Sequence, residues 1–450
     1  MTIQQAGAAL RSRKTTSLEL TLGCLERIDR LNPKLNAFIT VTRTAAEKRA
    51  SEMDAELTHG IDRGPLHGIP IAYKDLVFTK GVRTTAGSKL YSDFVPDHDA
   101  RIVEQLNAAG AVSVGKTGLH ELAYGITSNN PHFGPVRNPW DPEAIPGGSS
   151  GGSAAAVVAG MAFMAIGTDT GGSIRIPAAF CGCVGLKPTY GRVSKQGVFP
   201  LGFTLDHIGP LAMSVRDCAL TFEAISSARG VVPGAVTSLK GTRIGIPENG
   251  FFDRVWPEVK GGVNMLARKA ESMGATVTAV KLPDLDELNV VARLLLLAEA
   301  TAAHSSNLAK RDMFGTDVLA LLDQGRLISA ADYVNAQRLR KKMTVAFNAV
   351  WKQVDCLIVP GTPTAAPKIG QDQIEIGGVA DDVRLVTTRL MRGINALGWP
   401  ALSLPSGFAR HRLPIGVQIL GKANGEKTIL EIGAALEDAT PEVRKAPSLA

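Results

Sequence analysis

Hydrophobic and polar positions follow short, changing periods along this chain. In "SLELTLGCLERIDRLNP", Leu18, Leu22, Leu25 and Ile28 fall on one face of a helix, with Ser17 at its start and Pro33 just past its end, as expected of a covering helix. From Gly64 to about Leu220, short apolar runs such as "GIPIAY" and "AVSVG" take turns with helical stretches such as "DARIVEQLNAAG", an order that predicts an α/β core. A looser segment follows residue 225, after which "TRIGIP", a helix over about 257–273 and "ATVTAVKLP" resume strand, helix, strand. Residues 288–353 read as mostly helical, with short connections near Gly315 and Gly325. The chain ends on strands in "CLIVPGTP", "ALSLPSG" and "PIGVQILG" and a helix in "EKTILEIGAALED". Strands on both sides of the helical region predict one large mixed β-sheet shared by both halves and covered by helices on both faces. The 450 residues are read as a single domain, with covering helices over about 1–60, a core over about 61–225 and a second half over about 240–450.

One interruption of the apolar pattern changes this picture. "GTDTGGSIR" at 167–175 lies between the apolar "SAAAVVAGMAFMAI" and the apolar "IPAAFCGCVGL". Two further polar stretches, "GIPIAYKD" at 68–75 and "PGGSSGGS" at 146–153, fall in the same glycine-rich half. Glycine and serine dominate tight turns for conformational reasons alone, so composition leaves a turn-and-cap reading open. The chemical alternative is a serine nucleophile, which needs a proton acceptor and a group that stabilises the oxyanion. Glycines before Ser173 let consecutive backbone N–H groups point at one spot. "GGSSG" also matches G-x-S-x-G, but the prolines of "NPWDPEAIP" spoil the strand that a nucleophile elbow needs before it. Neither stretch carries a phosphate-loop pattern.

Composition narrows the classes further. The formal charge is +7, from 49 Lys+Arg and 42 Asp+Glu, but the basic residues are scattered, so a nucleic-acid partner is not expected. Five cysteines without a C-x-x-C pair suggest neither a disulfide framework nor a zinc site. The longest apolar run, 154–167, is short of the roughly 20 residues of a membrane span, and a cytoplasmic protein is expected.

The segment from Gly147 to Pro177, "GGSSGGSAAAVVAGMAFMAIGTDTGGSIRIP", resembles the signature of the amidase signature family almost throughout. The spacing of Lys74, Ser149 and Ser173 fits that family, and "GLKPTYGRVS" and "LDHIGPLAMSVRD" extend the likeness, which persists more weakly to the C-terminal strands. The resemblance implies a Ser-cisSer-Lys triad: Ser173 as nucleophile, Ser149 behind a cis peptide bond as proton relay, and Lys74 as base. A free lysine has a pKa of about 10.4, so Lys74 can serve near neutrality only if burial disfavours its charged form. The backbone N–H groups of Thr170, Gly171, Gly172 and Ser173 would form the oxyanion hole, with Ser150, Asp169 and Arg175 bracing the loops.

A lysine-based triad leaves no required role for His67, His120, His132 and His207, and no metal or other cofactor is implied. The acyl pocket is expected to draw on Tyr124 to His132, on Phe203, on the helical region after residue 288 and on Thr362 in "GTPTAAP". Few charges in those loops suggest an apolar or aromatic substrate. The implied reaction is hydrolysis of a small-molecule amide, with carbamates and esters open, by a monomer or homodimer with neither nucleic-acid nor membrane partners.

The family also contains the amidase subunit of tRNA-dependent amidotransferases, which releases ammonia from glutamine beside a partner subunit. Where that subunit resembles "RRIMLGT" followed by "YYDAYY", with an arginine for the glutamine carboxylate, this chain has "FGTDVLALLDQGRLISAADYVNAQRLR". That departure favours a stand-alone amidase over the glutamine-dependent alternative.

Overall fold

The computed structural model describes residues 1–409, 412–443 and 445–449. Its frame is a sheet of eleven strands: β1 (Phe38–Val41), β2 (Pro70–Lys74), β3 (Val112–Thr117), β4 (Met164–Asp169), β5 (Val184–Lys187), β6 (His207–Ala212), β7 (Arg243–Pro247), β8 (Thr276–Val280), β9 (Cys356–Pro360), β10 (Ala401–Phe408) and β11 (Pro414–Gly421). Their order across the sheet is β1-β3-β2-β4-β6-β5-β10-β11-β9-β7-β8. The strands β3, β2 and β4 run parallel at one end and β9, β7 and β8 at the other, joined by an antiparallel middle, so the sheet is mixed and takes strands from both halves of the chain. Each expected strand run named above lies on one of these strands. Their spatial order could not be read from periodicity, because it depends on side-chain fit across faces.

The twofold repeat of a strand sends neighbouring side chains to opposite faces. Ile71 and Tyr73 of β2 join one apolar layer while Ala72 joins another, and in β11 Ile419 parts from Leu420 in the same way. Both faces are therefore buried under helices. Helix α1 (Ser17–Leu35) covers the β2–β3 end with Leu25, Ile28, Leu31 and Leu35. It differs from expectation at both ends. Thr16 is the cap, accepting from the Glu19 N–H while Glu19 reaches back to the Thr16 N–H, and Pro33 lies inside the last turns rather than beyond them. A proline two residues from a helix end removes a single intrahelical donor, which this otherwise well-capped helix tolerates.

Helix α2 (Gly151–Val158) is buried along its whole length, which its Gly, Ser, Ala and Val composition permits. Gly152 shows how close the approach is: a Cβ there would meet the Gly118 carbonyl oxygen at 2.4 Å and the Ala37 carbonyl oxygen at 2.6 Å. Helix α3 (Arg175–Cys181) follows the polar loop after β4. The mostly helical second half contributes α4 (Leu285–Ala303), α5 (Thr316–Gly325), α6 (Ala330–Asn348), α7 (Val383–Arg389) and α8 (Arg392–Leu397), four of which line or roof the site described next. Among the described residues no helix is long and apolar enough to cross a membrane.

Candidate active site

The parallel neighbours β2 and β4 bring their carboxyl ends together, with Tyr73 opposite Ile166, so Lys74 comes beside Thr168. Ligand sites in such sheets collect at these ends. Lys74 is fully buried, and its Nζ donates to Ser149 Oγ at 2.7 Å and to Thr168 Oγ1 at 2.8 Å. Burial among apolar strand residues lowers its pKa to about 7, against the opposing pull of Asp169 and Asp206. The peptide between Gly148 and Ser149 is cis. Ser150 follows with its N–H on the Ser173 carbonyl at 3.2 Å and its hydroxyl between the Thr168 carbonyl and N–H, so the two serine-bearing loops are tied directly.

Ser173 is 6% exposed and opens into a cleft, and its hydroxyl makes no hydrogen bond among the described residues. Catalytic hydrogen bonds are often loose before substrate arrives. The loop that carries it is held by Asp169. That carboxylate accepts from the N–H groups of Gly172 at 2.8 Å and Ile174 at 3.1 Å, from Arg175 Nε and Nη2, each at 2.9 Å, and from Asn395 Nδ2 at 2.8 Å. Asp169 and Arg175 are both fully buried, and Arg175 and these donors hold the Asp169 carboxyl well below the usual carboxylate range despite burial. Arg175 continues to Gln418 Oε1 at 2.7 Å and Asn395 Oδ1 at 2.6 Å, anchoring the loop to β11 and α8.

One of the four N–H groups expected at the oxyanion hole is engaged within the loop itself. The Gly172 N–H is spent on Asp169, which leaves the N–H groups of Thr170, Gly171 and Ser173 as candidates. Gly172 is required for another reason: its φ of +124° belongs to glycine, and a Cβ there would meet Met391 Cβ and Ile176 Cδ1 at 2.8 Å. Thr170 is itself fixed through its hydroxyl, which donates to Asp206 Oδ1 at 2.6 Å.

Lys74, Ser149, Ser150, Asp169, Thr170, Gly171, Ser173 and Arg175 thus gather in one place. Tyr124 lines the cleft as expected, together with residues of α4 after position 288. Phe203 instead lines a neighbouring cavity that shares Thr170 and Leu201 with the cleft. Thr362 is fully buried, its hydroxyl on the Thr364 carbonyl, and does not reach the cleft. The four histidines also stay out of it: His67 contacts the Met53 carbonyl, His120 Asp317, His132 Glu121 and His207 the Leu205 carbonyl. Among the described residues no group of three or more His, Cys, Asp or Glu is placed to hold a metal ion.

Sequence reasoning missed Gln418, which acts through Arg175, and Asn395, which holds both Arg175 and Asp169; both lie more than two hundred positions away and belong to no local motif. It also missed the character of the cleft. The opening is lined by Leu201, Leu296, Leu297 and Leu321 but also by Arg293, Arg384 and Arg392. The expectation of a pocket with few charges is therefore wrong. The arginines come from α4, α7 and α8, which periodicity placed as helices or left unread but could not aim.

A family model described as amidase matches residues 19–430. A glutamyl-tRNA(Gln) amidotransferase subunit of Carboxydothermus hydrogenoformans is 38% identical, covering 98% of this chain and 97% of its own. Among solved structures, one described as an amidase superposes with a TM-score of 0.92 at 36% identity, covering 97% of this chain and 99% of its own. The corresponding glutamyl-tRNA(Gln) amidotransferase subunit of Thermotoga maritima superposes with a TM-score of 0.77 at 33% identity, covering 94% of this chain and 91% of its own.

Proposed function

The chain belongs to the amidase family, and from that premise we propose that it breaks a non-peptide amide bond by way of an acyl ester on Ser173. The observation that carries this reading is the buried Lys74, brought to a pKa of about 7 and hydrogen-bonded to Ser149, at the base of the loop that presents Ser173 to the cleft. Neutral Lys74 takes the Ser173 proton through the Ser149 hydroxyl as Ser173 Oγ bonds to the substrate carbonyl carbon. The N–H groups of Thr170, Gly171 and Ser173 stabilise the resulting oxyanion. When the C–N bond breaks, the proton returns through Ser149 to the leaving nitrogen. Water then attacks the acyl ester, giving up a proton along the same route, and the acid leaves. Carbamates and esters would pass through similar intermediates, with an alcohol as the leaving group of an ester.

Two endings of this chemistry differ in what becomes of the amine. In a stand-alone amidase it diffuses away, a reading supported by the TM-score of 0.92 with a solved amidase. In a glutamine-dependent subunit the ammonia serves a partner. That second reading is favoured by the 38% identity to the tRNA-dependent amidotransferase subunit along nearly the whole chain, and it has more support from these relatives than the departure at residues 314–340 suggested. The test is hydrolysis of an aryl anilide, a short primary amide, an aryl carbamate, an ester and glutamine by the chain and its Ser173→Ala variant. Turnover of a non-glutamine member, lost in the variant, supports the stand-alone hydrolase. Turnover of glutamine alone supports the glutamine-dependent reading, and activity that survives the substitution removes Ser173 from the mechanism.

A further inference from the structure

The cleft beside Ser173 holds cations with too few anions to match. Arg392, half-buried, makes no ion pair among the described residues; its guanidinium donates only to the Thr388 hydroxyl. Arg293 touches the neutral Gln324 at 3.3 Å, and only Arg384 has a carboxylate near, Asp317 at 3.6 Å, which His120 also engages. No Asp or Glu lines the cleft. Burial and the facing charge of Arg293 lower the pKa of Arg392 to about 10, so the two guanidinium groups repel across a shared space. A second group there also lacks a partner: the Tyr124 hydroxyl, on a side chain 5% exposed, is buried with no hydrogen bond among the described residues. Unpaired buried donors are costly, and a group brought to them that accepts hydrogen bonds is favoured.

Resting on the hydrolase reading above, we propose that the acyl part of the substrate carries a carboxylate that sits against Arg392, Arg293 and the Tyr124 hydroxyl, and that it carries no ammonium group. The anion supplies the missing charge, and a guanidinium fork matches its two oxygens. The absence of a lining carboxylate leaves an ammonium group nothing to pair with beside three arginines, which disfavours an α-amino acid amide. The leucines accommodate a short apolar spacer between amide and carboxylate. The substrate class is then the monoamide of a dicarboxylic acid or a ureido acid of similar reach.

Three amides of one length test this: pentanamide, glutaramate (5-amino-5-oxopentanoate) and L-glutamine, which differ only in the terminal carboxylate and the α-ammonium group. Glutaramate is expected to exceed both others in kcat/KM by on the order of tenfold or more. Arg392→Met should raise KM for glutaramate and narrow its advantage over pentanamide, and Arg293→Met supplies the same comparison if the first variant is not soluble. Pentanamide or glutamine turned over as well as glutaramate overturns the proposal, while loss of that turnover in Ser173→Ala leaves the hydrolase reading standing. If no amide is turned over, calorimetric titration with glutarate decides. Binding that disappears in Arg392→Met sustains the anion site, whereas absence of binding to the wild type, or binding that survives the substitution, overturns it; the hydrolase reading is decided separately by the panel above.

Discussion

Replacing Lys74 by methionine is expected to stabilise the folded chain at neutral pH while removing the base proposed above. The fall of the Lys74 pKa from 10.5 to about 7 means that folding at or below pH 7 works against about 4–5 kcal/mol of lost ammonium solvation. Methionine fills nearly the same volume without that term. Against the gain stand the hydrogen bonds to Ser149 and Thr168, whose loss costs about 1–3 kcal/mol together. The variant should then be more stable by about 1–3 kcal/mol at pH 7. The sign of the pH dependence is fixed by proton counts. Between about pH 7 and 10.5 the unfolded lysine keeps its proton and the folded one does not, so wild-type stability rises relative to the variant by about 1.4 kcal/mol per pH unit. The gap should close with rising pH and reverse at about pH 8 to 10. Urea unfolding of both proteins at pH 6.5, 8 and 9.5 measures it, and a variant that is less stable at pH 7, or a gap that ignores pH, refutes the reasoning. Amide turnover in the variant should fall by about two to four orders of magnitude.

Three further expectations follow from the same contacts. The kcat/KM for an amide should rise about tenfold per pH unit below a midpoint near 7 and level off above it, because only neutral Lys74 accepts a proton; a profile flat from pH 5 to 8 would speak against that role. Asp169→Asn leaves Arg175 buried without its carboxylate and should destabilise the chain by about 3–5 kcal/mol, whereas adding Arg175→Met should recover part of the loss; simple additivity in urea unfolding would deny the coupling. Gly152→Ala drives a methyl group into the backbone of Gly118 and Ala37, and soluble protein with wild-type unfolding behaviour would show that this contact is softer than it looks.

Elements whose evidence is local were legible in the sequence. "GIPIAY" and "PIGVQILG" announce strands because their apolar runs are bounded by glycine and proline, and Ser149, Ser173 and Lys74 stand in a motif long enough to be matched as a unit. What was not legible depends on distance. Nothing near Gln418 says that its amide meets Arg175, and Thr362 was placed in the pocket on the strength of a polar loop that the fold turns inward. The arginines of the cleft were invisible for a different reason. On an amphipathic helix an arginine is ordinarily a solvated side chain, and only the packing of α4, α7 and α8 over the loop at Ser173 turns three of them onto one space.

The clamp on the loop at Asp169 also has a consequence for how the chain comes into being. A ribosome delivers Lys74, Ser149 and Ser173 long before Asn395 and Gln418, and domains begin to organise from the amino terminus as they emerge. Until the last strands arrive, Arg175 lacks its distal partners and the helices bearing the cleft arginines have no finished sheet beneath them. An unfinished chain thus holds Ser173 without the frame that aims it. The frame of this loop is complete only when nearly the whole polypeptide has been made.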